Sequence, residues 1–245
     1  MRLDLYLLQS GLARSRTEAA DLITEGAVTV MGQVRTKPSF AVDDSLSPDL
    51  VTVTRVAHPY VSRGGEKLHA ALSAFSLTPM GCCAVDIGAS SGGFTDCLLK
   101  HGATFVYAVD VGEGQLVAAL AADPRVLSME HYNARFLRKE DFPTQPSFAT
   151  MDVSFISQTL ILPALSALLP VGGHLVTLIK PQFEVGREGI GKGGIVKDAR
   201  LRALAVTRVV EAAGAVGLAH IGTIDSPILG KDGNREFLAA FTKES

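Results

Sequence analysis

The chain has 245 residues, of which 47% are hydrophobic and 20% are charged, and its formal net charge is −2 at pH 7. This length can bury one large core or two smaller ones, and the near-neutral charge excludes a generic polycation, so nucleic-acid binding would need local basic patches. The cysteines, Cys82, Cys83 and Cys97, are too few and too close in sequence for a disulfide framework, which favours a reduced, cytoplasmic protein.

Neither a signal peptide nor a transmembrane helix is predicted. Asp4 interrupts the short apolar stretch at the N-terminus. The longest apolar stretch, 159–180, contains Pro163, Pro170 and a Gly-Gly pair, a pattern that indicates helix, turn and strand rather than a membrane span.

Residues 1–56 are predicted to form a small α+β domain. Leu3, Tyr6, Leu7 and Leu8 recur at helical spacing, and Gly11 ends that helix. Ser15 and Glu18 have the spacing of a capping box for a second helix over 17–24, which is closed by Glu25-Gly26. Short alternating runs at 27–30 and 50–53 predict strands, and residues 57–65 have the composition of a linker.

Residues 66–245 alternate between helical and strand patterns. A helix containing Lys67, Leu68, Leu72 and Phe75 comes first, and a helix over 197–213 precedes the last two strands. Such apolar strands predict an open, Rossmann-like, mainly parallel sheet of seven strands, with helices on both faces and ligands beyond the carboxyl ends of the strands. The predicted strands are 83–87, 105–110, 126–130, 148–153, 174–180, 219–224 and 236–241.

A glycine-rich turn follows the first of these strands. It reads Asp86-Ile-Gly88-Ala-Ser90-Ser-Gly92-Gly-Phe94, and the next strand ends in Asp110, whose carboxylate can accept hydrogen bonds from both ribose hydroxyls. The pattern differs from the dinucleotide fingerprint, so it favours a nucleoside ligand without a pyrophosphate, namely S-adenosylmethionine, over NAD. The candidate cofactor-binding residues are Asp86, Gly88, Ser90, Gly92, Phe94, Asp110, Asn133 and Asp152, and no metal site is predicted.

Four ionisable residues lie at the ends of predicted elements: Lys67, Asp152, Lys180 and Glu236. Methyl transfer from a sulfonium is an in-line displacement, so an enzyme must align the nucleophile and remove its proton. A lysine could act as the base for a ribose 2′-hydroxyl or stabilise the alkoxide, with the two carboxylates orienting the amines. Either lysine could be the base, and we favour Lys180.

Other methylations lack their usual residues. Exocyclic amino groups are usually handled by an Asn/Asp-Pro-Pro-aromatic loop, but this chain has Asp152-Val-Ser-Phe155 after its fourth strand. Methylation of pyrimidine carbon 5 needs a cysteine nucleophile, and Cys82 and Cys83 lie at the wrong end of the first strand, while Cys97 lies on the helix after the glycine turn.

The whole chain resembles the TlyA family, also called hemolysin A, of ribosomal RNA 2′-O-methyltransferases. Residues 2–56 resemble the RNA-binding domain named after small-subunit ribosomal protein four, through Arg2-Leu-Asp4, Ser15-Arg16 and 26–30. The remainder resembles FtsJ-like methyltransferases, through segments 61–68, 86–96, 151–157 and 179–184. The resemblance implies a Lys-Asp-Lys-Glu tetrad on Lys67, Asp152, Lys180 and Glu236, and a cytidine as the target. Two departures are Met31-Gly32, where an Asn-Gly turn is common, and 58–61, where the family often has Arg and Trp.

RNA contacts are predicted on basic residues in both parts of the chain. We expect a monomer that binds ribosomal RNA or ribosomal subunits and no membrane, and a glycine-rich stretch, 184–194, that closes over the substrate. Because residues 1–56 contain six Lys/Arg and seven Asp/Glu, binding there requires the cations to share one face. The candidates are Arg2, Arg14, Arg16, Arg35, Lys37, Arg63, Arg187 and Lys192.

Two alternatives from other functional classes stay open at this point. One is a membrane-active hemolysin, which the older family name suggests and which the lack of a signal, span or basic amphipathic helix disfavours. The other is a non-catalytic, ribosome-associated RNA-binding protein, which the intact tetrad disfavours.

Overall fold

The structure is a computed structural model that describes residues 1–13, 16–24, 26–54, 59–191, 193–230 and 233–244. The chain divides into two compact units, Met1–Ala57 and His58–Ser245. In the part of the chain described, no helix combines the length and the apolar character needed to cross a membrane.

The first unit contains two helices, α1 (Leu3–Gln9) and α2 (Arg16–Thr24), and a three-stranded antiparallel sheet. Its strands β1 (Val28–Val30), β2 (Gln33–Arg35) and β3 (Val51–Val53) lie in the order β2-β1-β3. The core is formed by fully buried apolar side chains from both helices and β1, whereas Leu8 is 38% exposed and lies off this face. The predicted cap residue Ser15 lies outside the described residues.

The sequence pattern did not predict strand β2. It contains a single apolar residue and lies at an exposed edge of the sheet. Met31 and Gly32, which join β1 to β2, have φ values of +52° and +75°, and Val30 pairs directly with Gln33. A two-residue loop with both φ values positive is the type I′ turn that matches the twist of a hairpin, so this turn, rather than side-chain alternation, specifies the strand.

The second unit is built on a seven-stranded sheet in the order β6-β5-β4-β7-β8-β10-β9. Strands β4 to β8 are parallel, and β10 is antiparallel to both of its neighbours. This confirms the predicted mainly parallel sheet of seven strands. The strands are β4 (Cys83–Ile87), β5 (Phe105–Val109), β6 (Val126–Met129), β7 (Phe148–Met151), β8 (His174–Ile179), β9 (Leu218–Asp225) and β10 (Phe237–Lys243).

Helices cover both faces of this sheet, as predicted. One apolar core lies between the sheet and α3 (Gly64–Ala74), α4 (Gly93–Lys100) and α5 (Ala118–Ala121). The other lies between the sheet and α6 (Leu162–Leu168) and α8 (Ala199–Gly214). A short helix, α7 (Pro181–Glu184), follows β8 directly. Single 3₁₀ turns occur at 48–50, 134–136, 139–141, 158–160 and 187–189.

The end of the predicted linker, 57–65, is packed structure. Helix α3 begins at Gly64, two residues before its predicted start. Val61 N donates a hydrogen bond to Asp96 Oδ2 at 2.9 Å. A Cβ atom at Gly93 would lie 2.1 Å from Ser62 Oγ and 3.3 Å from Gly64 Cα, so glycine at the start of α4 allows it to approach the start of α3 closely.

Candidate active site

A cavity of about 360 Å³ opens at the carboxyl ends of the parallel strands β4, β5 and β7. Its location is the one expected for ligand binding in an open α/β sheet. The cavity is lined by Ile87, Gly88, Ser90, Val109, Asp110, Val111, Gln115, Tyr132, Asn133, Ala134, Asp152, Val153, Ser154, Phe155, Ile156 and Ile161.

Gly88 sits where the glycine turn passes closest to the end of β7. Its φ is +80°, and a Cβ atom there would lie 2.3 Å from the backbone oxygen of Asp152. Its backbone N–H donates to Val109 O at 2.8 Å. Any side chain would therefore push the β4 and β7 edges of the cavity apart, which explains the need for glycine.

Asp110 follows β5 and presents its carboxylate to the cavity. Its two oxygens accept hydrogen bonds from the backbone N–H groups of Ser90 and Gly112, both at 2.8 Å. Each carboxylate oxygen can accept a second hydrogen bond, so the group is held in place and keeps acceptor capacity toward the cavity.

The other residues predicted to bind the cofactor do not all line the cavity. Asn133 borders the cavity and caps the 3₁₀ turn at 134–136. In contrast, Asp86 and Phe94 are buried and do not line the cavity, whereas Gly92, with φ +96°, caps α4. Alternation in β4 turns Asp86 away from the cavity and toward α4, because its neighbours Val85 and Ile87 face the other core.

Asp86 is a buried carboxylate held by two threonines. Thr95 Oγ1 and Thr150 Oγ1 donate to it at 2.7 and 2.8 Å. Burial raises its pKa from the usual value near 3.8 to about 6, because a charged group loses its hydration there. These contacts join β4 to α4 and β7. Asp86 therefore stabilises the strands whose ends border the cavity.

The four predicted catalytic residues form two ion pairs. Lys67 Nζ, on α3, lies 2.6 Å from Glu236 Oε2, which precedes β10, and both residues are buried. Lys180 Nζ, after β8, lies 2.6 Å from Asp152 Oδ1, after β7. No donor in the described part of the chain is aligned in a hydrogen bond with that oxygen.

Both ion pairs lie at the same edge of the sheet. Asp152 and Lys180 directly follow the parallel strands β7 and β8, and Glu236 directly precedes the antiparallel strand β10. The ladder pairs Phe237 with Ile179, so Glu236 comes next to Lys180 where these two strands meet that edge. The two pairs are therefore placed at the carboxyl ends of the parallel strands.

Two polar residues of this site were missed in the sequence. Ser154 lines the cavity, and its Oγ accepts a hydrogen bond from Lys180 Nζ at 3.0 Å. Asn234, 1% exposed, accepts from Val196 N at 3.0 Å and donates to Gly194 O at 2.9 Å. Both residues lie close in sequence to predicted catalytic residues, within segments 151–157 and 233–237. That proximity is the sequence signal that could have identified them.

The glycine-rich stretch 184–194, predicted to close over substrate, is packed at both ends. Glu184 belongs to α7 and is 6% exposed. Val185 of this stretch and Val196, which follows it, pack with Ala205 of α8 in a small apolar cluster. Of the basic residues predicted here, Lys192 and the side chain of Arg187 lie outside the described residues.

Basic side chains of the first unit converge near the start of α1. The Nε atoms of Arg2 and Arg16 lie 2.9 and 3.1 Å from the buried carboxylate of Asp4, and hydrogen bonds from Arg2 first, then Arg16, lower its pKa to about 2. Arg35 stacks on Phe40, 4.3 Å from the ring centroid, and Phe40 O accepts from Leu3 N.

The remaining predicted RNA-binding residues differ in position. Lys37 O accepts from Phe40 N, which places the Lys37 turn beside the start of α1 as well. Arg63 belongs to the second unit, where it precedes α3. Arg14 lies outside the described residues.

Comparison with known proteins identifies both units. Residues 60–243 match the FtsJ-like methyltransferase family, and residues 1–46 match the S4 domain. The chain is 44% identical over 236 residues to "16S/23S rRNA (cytidine-2′-O)-methyltransferase TlyA" of Mycobacterium tuberculosis, covering 96% of this chain and 87% of that protein. It is 43% identical to "Hemolysin A" of Brachyspira hyodysenteriae, covering 98% and 99%.

A solved structure covers the whole chain. A "putative hemolysin" from Streptococcus thermophilus superposes with a TM-score of 0.80 at 44% identity, over 100% of this chain and 89% of that one. The chain therefore belongs to the FtsJ-like methyltransferase family, as a TlyA-like member that begins with an S4 domain.

Proposed function

We propose that this protein transfers a methyl group from S-adenosylmethionine to the ribose 2′-hydroxyl of a cytidine in ribosomal RNA. The observation that carries the proposal is the presence of two ion pairs, Lys67–Glu236 and Lys180–Asp152, of which the second includes a residue that lines the cavity, Asp152. The name of the M. tuberculosis relative, an rRNA cytidine-2′-O-methyltransferase, supports the same reaction and substrate.

The cavity fits S-adenosylmethionine in size and in donor chemistry. Ligand sites usually span about 300–1,000 Å³, and about 360 Å³ is available here. Asp110 has carboxylate lone pairs for ribose hydroxyls, and Gly88 keeps the turn free of a side chain. When bound, the cofactor supplies an electrophilic methyl group on a sulfonium. Gln115, Tyr132 and Asn133 line the side of the cavity that belongs to β5 and the segment after β6.

The chain's own residues would prepare the nucleophile. A ribose 2′-hydroxyl is a weak acid, so an amine that accepts its proton, or stabilises the alkoxide, speeds the displacement. We favour Lys180 for this role because its partner Asp152 borders the cavity, whereas Lys67 is paired with Glu236, which does not. Asp152 and Ser154 hold the Lys180 amine in place, and Glu236 orients Lys67.

An exposed aromatic residue supports RNA as the substrate. Phe155 lines the cavity, is 93% exposed and has φ +65°. Its ring centroid lies 5.2 Å from that of Phe183. An aromatic ring presented to solvent at the rim of a site offers a stacking surface for an unpaired base. The S4 domain adds the grouped cations Arg2 and Arg16 for phosphate contacts.

The test is a map of 2′-O-methyl groups on ribosomal RNA from cells with and without this protein, together with methyl transfer in vitro by the full chain. Lys180→Ala should lower kcat about 10²- to 10⁴-fold. Lys243→Ala, at the opposite end of β10 with its amine on Val216 O, should leave kcat unchanged.

Each alternative function predicts a different experimental result. A map without any altered ribose would refute the proposed substrate. Full activity of Lys180→Ala in restoring ribosome function would instead favour a non-catalytic RNA-binding role. Release of haemoglobin from red cells by purified, cofactor-free protein would favour the hemolysin named in its relatives.

A further inference from the structure

Two sequence motifs, 151–157 and 179–184, contain the ion-paired Asp152 and Lys180, and each ends in a polar residue that the proposed chemistry does not use. These residues are Ser157 and Glu184, and they meet. Ser157 Oγ donates to Glu184 Oε2 at 2.6 Å, and the backbone N–H of Gln158 donates to Oε1 at 2.9 Å. Both oxygens of this buried carboxylate are therefore engaged by the segment that follows β7.

The same contact continues into the core through Gln158. Its Nε2 donates to Leu178 O at 2.5 Å, and Thr177 Oγ1 donates to its Oε1 at 2.7 Å. On the other side, Arg208 Nη1 of α8 donates to the backbone oxygen of Glu184 at 2.8 Å. Glu184 thus connects the segments after β7 and β8 to parts of the fold that pack tightly.

The two motifs form a closed ring. The Lys180–Asp152 ion pair closes one end, and the Glu184–Ser157 contact closes the other. Only the single turn of α7 separates Lys180 from Glu184, and only four residues lie between Asp152 and Ser157. Because the segment between them is short, a displacement of Ser157 would also displace Ser154 and Asp152.

Burying a carboxyl group at this place has a cost in stability. Burial is the largest influence on Glu184 and raises its pKa above the usual value, because the charged form loses its hydration there. What the carboxylate supplies is a fixed geometry, since a fully satisfied buried network holds its members in one arrangement. Glu184 does not line the cavity, so any effect on the reaction passes through other residues.

We propose that Glu184 is a positioning residue, with Ser157 as its partner, that sets Asp152 against Lys180. This inference rests on the proposed methyl transfer. It predicts that loosening the Glu184–Ser157 contact misplaces the Lys180 amine by a fraction of an ångström, with a loss in kcat and no loss in cofactor affinity, because Asp110 and the glycine turn stay in place.

The experiment compares four variants of the full chain: Glu184→Gln, Ser157→Ala, the double variant Glu184→Gln/Ser157→Ala, and Ser166→Ala. Ser166 is the matched control, a buried serine on α6 whose Oγ donates to Val216 O at 2.6 Å, away from the site. For each variant, kcat, KM for RNA, affinity for S-adenosylmethionine by calorimetry, and Tm would be measured. Ser157→Ala keeps the test valid if Glu184→Gln folds poorly.

Glu184→Gln and Ser157→Ala should lower kcat about tenfold at unchanged cofactor affinity and KM, with a combined loss smaller than the product of the two. Ser166→Ala should lower Tm by a similar amount and keep kcat. Unchanged kcat in both site variants would overturn the inference, and so would a kcat loss that Ser166→Ala shares. An inactive wild-type protein would instead refute the proposed function.

Discussion

Lys67 and Glu236 are 169 residues apart in sequence, yet Lys67 Nζ lies 2.6 Å from Glu236 Oε2, and the two side chains are only 11% and 3% exposed. Each charge is removed from water and is compensated mainly by the other. Such a pair contributes little net stability, but loss of one partner leaves an uncompensated buried charge. The pair therefore links the position of α3 to the start of β10.

Lys67→Met should lower the free energy of unfolding of the second unit by about 3–5 kcal/mol, because Glu236 would be left buried without its partner. The double variant Lys67→Met/Glu236→Gln should recover most of this loss and remain inactive. Urea unfolding measures both. Arg125→Met, which breaks an exposed pair with Asp123, should change stability by under about 1 kcal/mol. Equal losses for Lys67→Met and Arg125→Met would contradict the buried pair.

Asp86 should make the second unit less stable as pH rises from about 4 to about 6. Its folded pKa, about 6, lies above its usual value near 3.8, so the folded state binds the proton more tightly and its contribution is lost on ionisation. The loss amounts to roughly 3 kcal/mol. Asp86→Asn should remove this dependence, as measured by urea unfolding of the cofactor-free protein at pH 4.5 and 7.5.

Asp4 provides a control of opposite sign. Arg2 and Arg16 lower its pKa to about 2, so its contribution is present above pH 4 and is lost as pH falls toward 2. Asp4→Asn should therefore lower the stability of the first unit above pH 4 and remove the loss that the wild type shows in acid. An Asp86→Asn variant whose stability falls between pH 4.5 and 7.5 as the wild type's does would show that Asp86 is not the group responsible.

Met31→Asn should stabilise the first unit by about 1 kcal/mol, because Asn tolerates the left-handed conformation better than Met does. Met31 is 69% exposed, so little packing is lost. Thermal unfolding of the first unit, followed by hydrogen exchange of β1 amides, measures the change. Met31→Ala is the matched control, since it removes the same exposed side chain without making the positive φ easier to adopt. An equal effect of the two substitutions would argue against the turn.

Replacing Arg2 and Arg16 by Gln should weaken RNA binding, since two phosphate contacts would be lost. The slope of log K against log salt concentration should become less steep by about 1–2. Asp4→Asn has to accompany them, because the arginines pair with that carboxylate. Asp4→Asn alone is the control and should keep the slope. Filter binding over a range of salt measures both variants, and an unchanged slope in the triple variant would rule out these arginines as phosphate contacts.

The sequence by itself determined the alternation of strands and helices, the glycine turn after β4 and the polar residues that end the strands. Local patterns carry this information, because side-chain periodicity and backbone conformation depend on neighbouring residues. Lys180 illustrates it: the apolar run before it predicts a strand that ends at a charged side chain, and β8 ends at Ile179, directly before Lys180.

Only the tertiary structure decided which residues meet. Glu184 looked like the start of a loop, but contacts from Ser157, Gln158 and Arg208 bury it. Asp86 and Phe94 looked like cavity residues, yet Asp86 accepts hydrogen bonds from Thr95 and Thr150 and Phe94 packs in the core between α3, α4 and the sheet. The physical reason is that burial and long-range pairing arise from segments far apart in the chain, and a linear pattern does not record their distance in space.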